Sequence, residues 1–215
     1  MMTRLDTEDE LPARRRTQLM GPAAQAKALA EATAKLAARR QRDALPHRIE
    51  TPRLVLRAPI RGDVPEMVKL ADNRKIYEVL ARLPNPYTRA DGIAFVEIFA
   101  QRPDERPYAI TLNDQFVGVI GFTYVPGQPP EIGYWLGEPH WGKGYMSEAA
   151  KALIEAAFAT GLYPRLKARA LASNSASLNV LEKAGFKRIG EGPDPIAHRD
   201  GAPVVSLELE QPKWT

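Results

Sequence analysis

Cysteine is missing altogether from the 215 residues. Its absence excludes a disulfide framework, a thiolate nucleophile and any cysteine metal site. Histidine is nearly as scarce: His47, His140 and His198 are scattered and show no metal-ligand spacing, so no metal is expected. No apolar run approaches the ~18 residues needed to cross a bilayer. The opening Met1 to Asp6 also lacks the apolar stretch of a secretory signal, so a cytoplasmic protein is expected. The net charge of +4 is unevenly spread, because residues 1–46 hold 9 Lys/Arg against 6 Asp/Glu and residues 47–215 hold 21 against 20. A body so close to neutral offers no basic groove, and nucleic acid is not the expected partner. Two nucleotide loops are absent as well. Lys143 is followed by Gly144 and lacks the glycine spacing of G-x-x-x-x-G-K-S/T, and Ser147 stands where G-x-G-x-x-G needs glycine.

What is present divides at Pro46. Residues 1–46 pass through Arg14-Arg15-Arg16, read as a solvated charge run, into an alanine-rich stretch from Pro22 to Ala44. Good helix formers and a proline suited to the first turn predict a helix there. Its large apolar residues are few, with Leu29 and Leu36 on one side, so it can bury little and reads as a basic, helical or mobile extension. Residues 47–215 form the main domain. Ile49 to Pro59 alternates as a partly buried strand, and Arg61 to Asp72 and Thr88 to Gln101 carry apolar residues at helical spacing. A meander follows: Pro107 to Leu112, the turn Asn113-Asp114, Gln115 to Tyr124, then Glu131 to Leu136. A helix from about Lys143 to Thr160 stops at Gly161. Leu166 to Leu171 is a strand, Asn174 to Ala184 a helix, and Phe186 to Ile189 and Val204 to Glu210 are further strands. This order predicts an α/β (α+β) fold, with a central mixed, mostly antiparallel sheet flanked by helices on both faces.

Between the third meander strand and the next helix lies Trp141-Gly142-Lys143-Gly144-Tyr145-Met146. The first N–H groups of a helix lack intrahelical partners and carry partial positive charge. Glycines let several N–H groups turn toward one point, so the loop can cradle a phosphate, and Lys143 adds a cation at its mouth. Alone, two glycines before a helix also make an ordinary tight turn.

Joined to Glu131-Ile132-Gly133-Tyr134-Trp135-Leu136, to Asn174-x-x-Ser177, and to Val180-Leu181-Glu182-Lys183-Ala184-Gly185-Phe186, the loop resembles the GNAT superfamily of N-acetyltransferases. The match is closest to the RimJ/RimL-type branch, whose first strand Thr51-Pro52-Arg53-Leu54-Val55-Leu56-Arg57 also resembles. The resemblance covers about residues 48–215. It implies acetyl-CoA as acyl donor and direct attack of a primary amine on the thioester, with a protein N-terminal amine as one acceptor class. Small molecules such as polyamines or drugs are the alternative acceptors, and a non-catalytic acyl-CoA-binding sensor the alternative role. The oligomeric state is open, a homodimer among the outcomes.

The resemblance also assigns residues. Trp141, Gly142, Lys143, Gly144, Tyr145 and Met146 are implied to hold the pyrophosphate. Trp141 takes the first position of the family's loop pattern and Gly144 its constant glycine. Met146 stands where glycine or alanine is usual. Leu136 is implied to offer backbone groups to pantetheine and the thioester oxygen, and Asn174 to bond the pantetheine arm. Glu131 is the candidate base, acting through water, with an ordinary strand-end glutamate, solvated or paired with a nearby arginine, as the other reading. Ser177 is the candidate acid at the departing thiolate, against an ordinary first-turn serine. Tyr134, Trp135 and Trp141 could line the acceptor cleft or simply pack beside the sheet.

Overall fold

A computed structural model of the chain describes residues 21–194 and 201–212. The Arg14–Arg16 triplet, His198 and most of the polar loop before residue 201 lie outside the described residues. The first helix, α1 (Pro22–Ala44), starts with proline in its first turn and buries none of its side chains. Leu29 and Leu36 are about 70% exposed, as their sparse spacing implies. Its end is tied to the body. The Gln41 side-chain amide donates to Leu162 O at 2.8 Å, Tyr163 donates its hydroxyl to Gln41 O at 2.7 Å, and Leu45 is buried in the core.

The expected strand Ile49–Pro59 is instead a pair, β1 (Arg48–Glu50) and β2 (Leu54–Arg57), running antiparallel. Thr51 makes the reversal between them. Its N–H donates to Leu54 O, and its hydroxyl oxygen accepts the Leu54 N–H at 2.8 Å, closing the turn around Pro52. A short 3₁₀ turn at Arg61–Asp63 leads into α2 (Val64–Ala71). One extra turn of helix, α3 (Arg74–Tyr77), follows behind the cap of Asn73, whose side chain accepts the Lys75 N–H. Thr88 and Asp91 form a reciprocal capping box at the start of α4 (Arg89–Glu97). The helix is shorter than its sequence pattern suggested: it ends before the exposed Ile98, and Phe99–Gln101 continues as a 3₁₀ turn.

The meander is β3 (Glu105–Leu112), β4 (Gln115–Thr123) and β5 (Glu131–Leu136). Asn113 and Asp114 both take left-handed conformations, which match the twist of a two-residue hairpin. The rest is α5 (Tyr145–Ala159), β6 (Arg165–Leu171), α6 (Ser175–Lys183), β7 (Lys187–Pro193) and β8 (Pro203–Glu210). The strands form one sheet in the order β1-β2-β3-β4-β5-β6-β8-β7. Every neighbouring pair is antiparallel except β5 and β6, which α5 connects. On one face Leu153, Ala149 and Ile154 of α5 and Leu181 of α6 bury against Leu56, Ile120 and Leu166. On the other face Met67 and Leu70 of α2 and Val96 of α4 cover Ala109, Phe116 and Val119. The sheet is thus mixed, mostly antiparallel and covered on both sides.

The parallel pair is short. β5 and β6 are in register only at Glu131↔Lys167 and Ile132↔Ala168, after which the two strands part. The opening between them is where α5 begins and the cleft lies.

Candidate active site

The loop after β5 is fixed by two left-handed glycines, Gly142 (φ 72°) and Gly144 (φ 78°), and Gly144 is the N-cap of α5. The first intrahelical bond runs from Glu148 N–H to Gly144 O. The N–H groups of Tyr145, Met146 and Ser147 precede it and carry the positive end of the helix dipole. Met146 packs its side chain into the core beneath the loop, 8% exposed, so its bulk is turned from the surface that an anion would approach. Gly142, Gly144, Tyr145 and Met146 line a cleft of about 1060 Å³. Lys143 is exposed and does not line it; the Lys143 carbonyl instead accepts a hydrogen bond from Arg53.

Trp141 closes the loop over the end of β5. Its indole N–H donates to Leu136 O at 2.6 Å. Gly137 N–H, not that of Leu136, bonds Val117 O on β4. Alternation along the strand therefore aims the N–H and C=O of Leu136 toward β6. Pro130 O, which bonds Lys167 N–H, lies on that same edge six residues earlier in phase. Past Ile132 the edge has no ladder partner among the described residues, so with its carbonyl taken by Trp141, Leu136 has its N–H to offer.

Ser177 lies in the first turn of α6, where the Asn174 side-chain oxygen accepts the Ser177 N–H at 3.1 Å. Both residues line the cleft, and the side-chain amide nitrogen of Asn174 has no partner among the described residues. From β5, Tyr134 reaches across the opening and brings its hydroxyl to 3.0 Å from Ser177 Oγ and 3.2 Å from Ser177 O. Burial pushes the Tyr134 phenol up to about 12, with the Ser177 hydrogen bond pulling the other way. The phenol therefore stays protonated at neutral pH and can donate to Ser177, freeing the serine proton for another acceptor.

Glu131 stands at the opposite end of β5, about 17 Å along the strand from Leu136 at ~3.3 Å per residue. It is already paired: Arg169 Nε donates to Oε1 at 3.1 Å and Lys167 Nζ lies 3.5 Å from Oε2. Thr123 sits between Glu131 and a second carboxylate, Glu105, across three neighbouring strands. Glu105 is buried, accepts from Thr123 Oγ1 at 2.9 Å and from Arg82 at 2.9 Å, and burial raises its pKa above the ordinary value. Both carboxylates line the cleft, as do Phe95 and Phe99, whose rings stack with centroids 5.4 Å apart. This end of the cleft joins an apolar wall to two carboxylates that are themselves paired with Arg82, Lys167 and Arg169. Trp135 turns to the far face of the sheet as well, its ring 5.8 Å from Phe116.

The cleft thus gathers Glu131, Leu136, Trp141, Gly142, Gly144, Tyr145, Met146, Asn174 and Ser177, and leaves Lys143 at its outer lip. Three further residues were not assigned a part in the chemistry from sequence. The segment 174–186 contains no tyrosine, yet Tyr134 is delivered to Ser177 from 43 residues upstream. Arg53 reaches the loop from the β1–β2 turn, and Glu105 enters the cleft from β3. For Tyr134, the signal available was its phase with Leu136, two residues on.

Comparison with known proteins places this geometry. Residues 53–187 match the model of a family described as an acetyltransferase (GNAT) domain. The chain is 35% identical over 80 residues to an uncharacterized N-acetyltransferase, p20, of Bacillus licheniformis, covering 36% of this chain and 45% of that protein. It is 34% identical over 88 residues to the ribosomal-protein-serine acetyltransferase of Escherichia coli K12, covering 40% and 49%. The chain therefore spans about half the length of the curated relatives it matches. Among solved structures, a GNAT-family acetyltransferase of Bacillus anthracis superposes with a TM-score of 0.68 at 22% identity, over 76% of this chain and 98% of that one. The ribosomal α-N-protein acetyltransferase RimL, in complex with coenzyme A, gives 0.67 at 24% identity over 76% and 97%. At these identities the likeness is one of fold.

Proposed function

The chain belongs to the GNAT family of acetyltransferases, and from that premise we propose that it transfers an acetyl group from acetyl-CoA to a primary amine. The observation that carries this reading is a single cleft joining three things: an αL-capped helix N-terminus, an unpaired strand edge, and the Tyr134–Ser177 hydroxyl pair. In this reading the N–H groups of Tyr145 to Ser147 take the pyrophosphate of the donor. The pantetheine arm lies along the open edge of β5, with Leu136 N–H toward the thioester oxygen and the Asn174 amide beside the arm. The amine nitrogen attacks the carbonyl carbon, its proton passes along a chain of waters toward Glu131 at the other end of β5, and the C–S bond breaks. The departing thiolate takes the Ser177 hydroxyl proton as the Tyr134 phenol passes its own to Ser177, and the proton held by Glu131 returns through solvent to restore the phenol. Glu131 is already paired with Lys167 and Arg169, and these contacts must give way before it can take the proton. Glu131→Gln is therefore expected to lower kcat by about tenfold, below the ~10²–10⁴-fold typical of a general base; an unchanged kcat would remove Glu131 from the chemistry.

For the acceptor we infer a peptide N-terminus. Beyond the open edge of β5 the cleft continues to Glu105, Glu131 and the Phe95–Phe99 wall. Similarity to an enzyme named for ribosomal-protein serine points the same way. Turnover with acetyl-CoA can be followed by a thiol reagent, since the chain has no cysteine of its own and CoA is the only thiol released. Screened against ribosomal-protein N-terminal peptides, polyamines and aminoglycosides, the protein is expected to release CoA with peptides. Preference for small amines would reassign the acceptor, and neither binding of acetyl-CoA by calorimetry nor CoA release with any amine would overturn the reading as a whole.

A further inference from the structure

The turn between β1 and β2 reaches across to the first turn of α5. Arg53 Nε donates to Glu148 Oε2 at 2.6 Å, and Nη1 donates to Lys143 O at 3.0 Å. The guanidinium also lies 4.6 Å from the centre of the Tyr145 ring. Glu148 Oε1 accepts the Thr51 hydroxyl at 2.6 Å and Arg53 N–H at 3.0 Å. Thr51, Lys143 and Tyr145 are thereby tied to one arginine and one carboxylate.

Glu148 is oddly placed for an anion site. Its side chain is only 16% exposed, one turn into the helix whose free N–H groups face the loop. Burial works against its charge, yet the hydrogen bonds from Thr51 and Arg53 outweigh burial and hold its pKa below the ordinary value. It is therefore a carboxylate at neutral pH. Left unpaired, that charge would oppose a diphosphate arriving at Tyr145 to Ser147, because partly buried charges are poorly screened. Arg53 cancels it. The same guanidinium fixes the Lys143 carbonyl and so the direction of the peptide plane leading into Gly144, where its Nη2 lies 3.6 Å from the position of a Cβ.

We propose that Arg53 is a positioning residue of the donor site: by neutralising Glu148 and anchoring the Lys143 carbonyl, it lets the Gly142–Gly144 loop leave the N–H groups of Tyr145 to Ser147 facing the diphosphate. The proposal rests on the acetyl-CoA reading above and concerns only the diphosphate end of the donor. A staple that merely holds the fold would affect all donors alike, whereas this role is blind to a donor without the diphosphate.

The test compares acetyl-CoA with S-acetylpantetheine on the full chain and on Arg53→Met, with and without Glu148→Gln. Arg53→Met is expected to lower kcat/KM for acetyl-CoA by about tenfold or more, through KM, as loss of a charge-assisted contact does. The value for S-acetylpantetheine should not change. Adding Glu148→Gln should restore most of the acetyl-CoA loss, because the uncompensated charge is gone. Equal losses on both donors, or a double variant no better than Arg53→Met, overturn the proposal. If Arg53→Met does not fold, Arg53→Lys serves instead: one ammonium cannot fork Glu148 and reach Lys143 O together, so a smaller loss confined to acetyl-CoA is expected and an unselective one refutes. A wild-type protein that uses neither donor overturns the acetyl-CoA reading itself; one that uses acetyl-CoA while Arg53→Met fails the donor comparison overturns only the role of Arg53.

Discussion

Gly144 has φ of +78°, and a Cβ there would meet nothing closer than Arg53 Nη2 at 3.6 Å. Alanine is thus penalised by backbone conformation and not by collision, at about 1 kcal/mol. Gly144→Ala is expected to lower the melting temperature by a few degrees and to raise KM for acetyl-CoA in steady-state kinetics; a KM equal to wild type would place the diphosphate elsewhere. Tyr134→Phe should lower kcat by about tenfold while the donor KM holds, since the hydroxyl is asked to feed a proton and not to bind. A loss confined to KM would contradict that role. The same phenol has a consequence for alkaline stability. Burial pushes Tyr134 and Tyr87 up to about 12 from an ordinary 10.0, so the folded state favours the neutral phenols. Their contribution is complete below the unfolded value and is lost as pH rises through about 12. Urea midpoints should therefore fall between pH 9.5 and 12 (about the span of those two pKa values), and less steeply in Tyr134→Phe. At this scale the sequence made legible the residues whose signal is local: Gly142 and Gly144 before a helix, and Asn174 three residues ahead of Ser177. Contacts carried by the sheet left no local trace. Arg53 and Glu148 are 95 residues apart, and neither sits in a motif that names the other.

Among the elements, α1 shows how a helix can form without burying any of its side chains. Its propensity is legible in alanine content, and its weak attachment in the isolation of Leu29 and Leu36, both left in solvent. Its last turn is different, because Gln41 and Arg42 bond the backbone of the body and Leu45 enters the core. A chain begun at residue 37 should keep its thermal midpoint within a degree or two. One begun at residue 47 should lose several degrees, about what losing a buried leucine costs. Equal midpoints for the two would show that the Gln41–Leu45 contacts contribute nothing. Regular elements with a clear period were readable, as α5 and the Asn113–Asp114 hairpin show. The exceptions have physical causes. The turn at Thr51–Arg53 depends on a hydroxyl taking the place of a backbone acceptor, α3 is too short to show a period, and α4 stops where Ile98 has no core to face.

For the molecule as a whole, the order of elements announced a mixed sheet covered on both faces, but not the place where it opens. That place follows from pairing, and pairing is a property of two strands at once. β1 to β5 form one antiparallel run and β6, β8 and β7 another, and only two residue pairs of β5 and β6 join the runs directly. Two rungs are a thin coupling for eight strands. In the absence of ligand, the three-stranded part is expected to open at a lower free energy than the five-stranded part, so amide exchange at Ala168 and Ala170 should outrun that at Ile110 and Ile120. A donor laid along the free edge of β5 touches both parts together. Saturating acetyl-CoA should then bring the two sets of exchange rates toward each other, and steepen the urea transition as two loosely coupled units come to unfold as one.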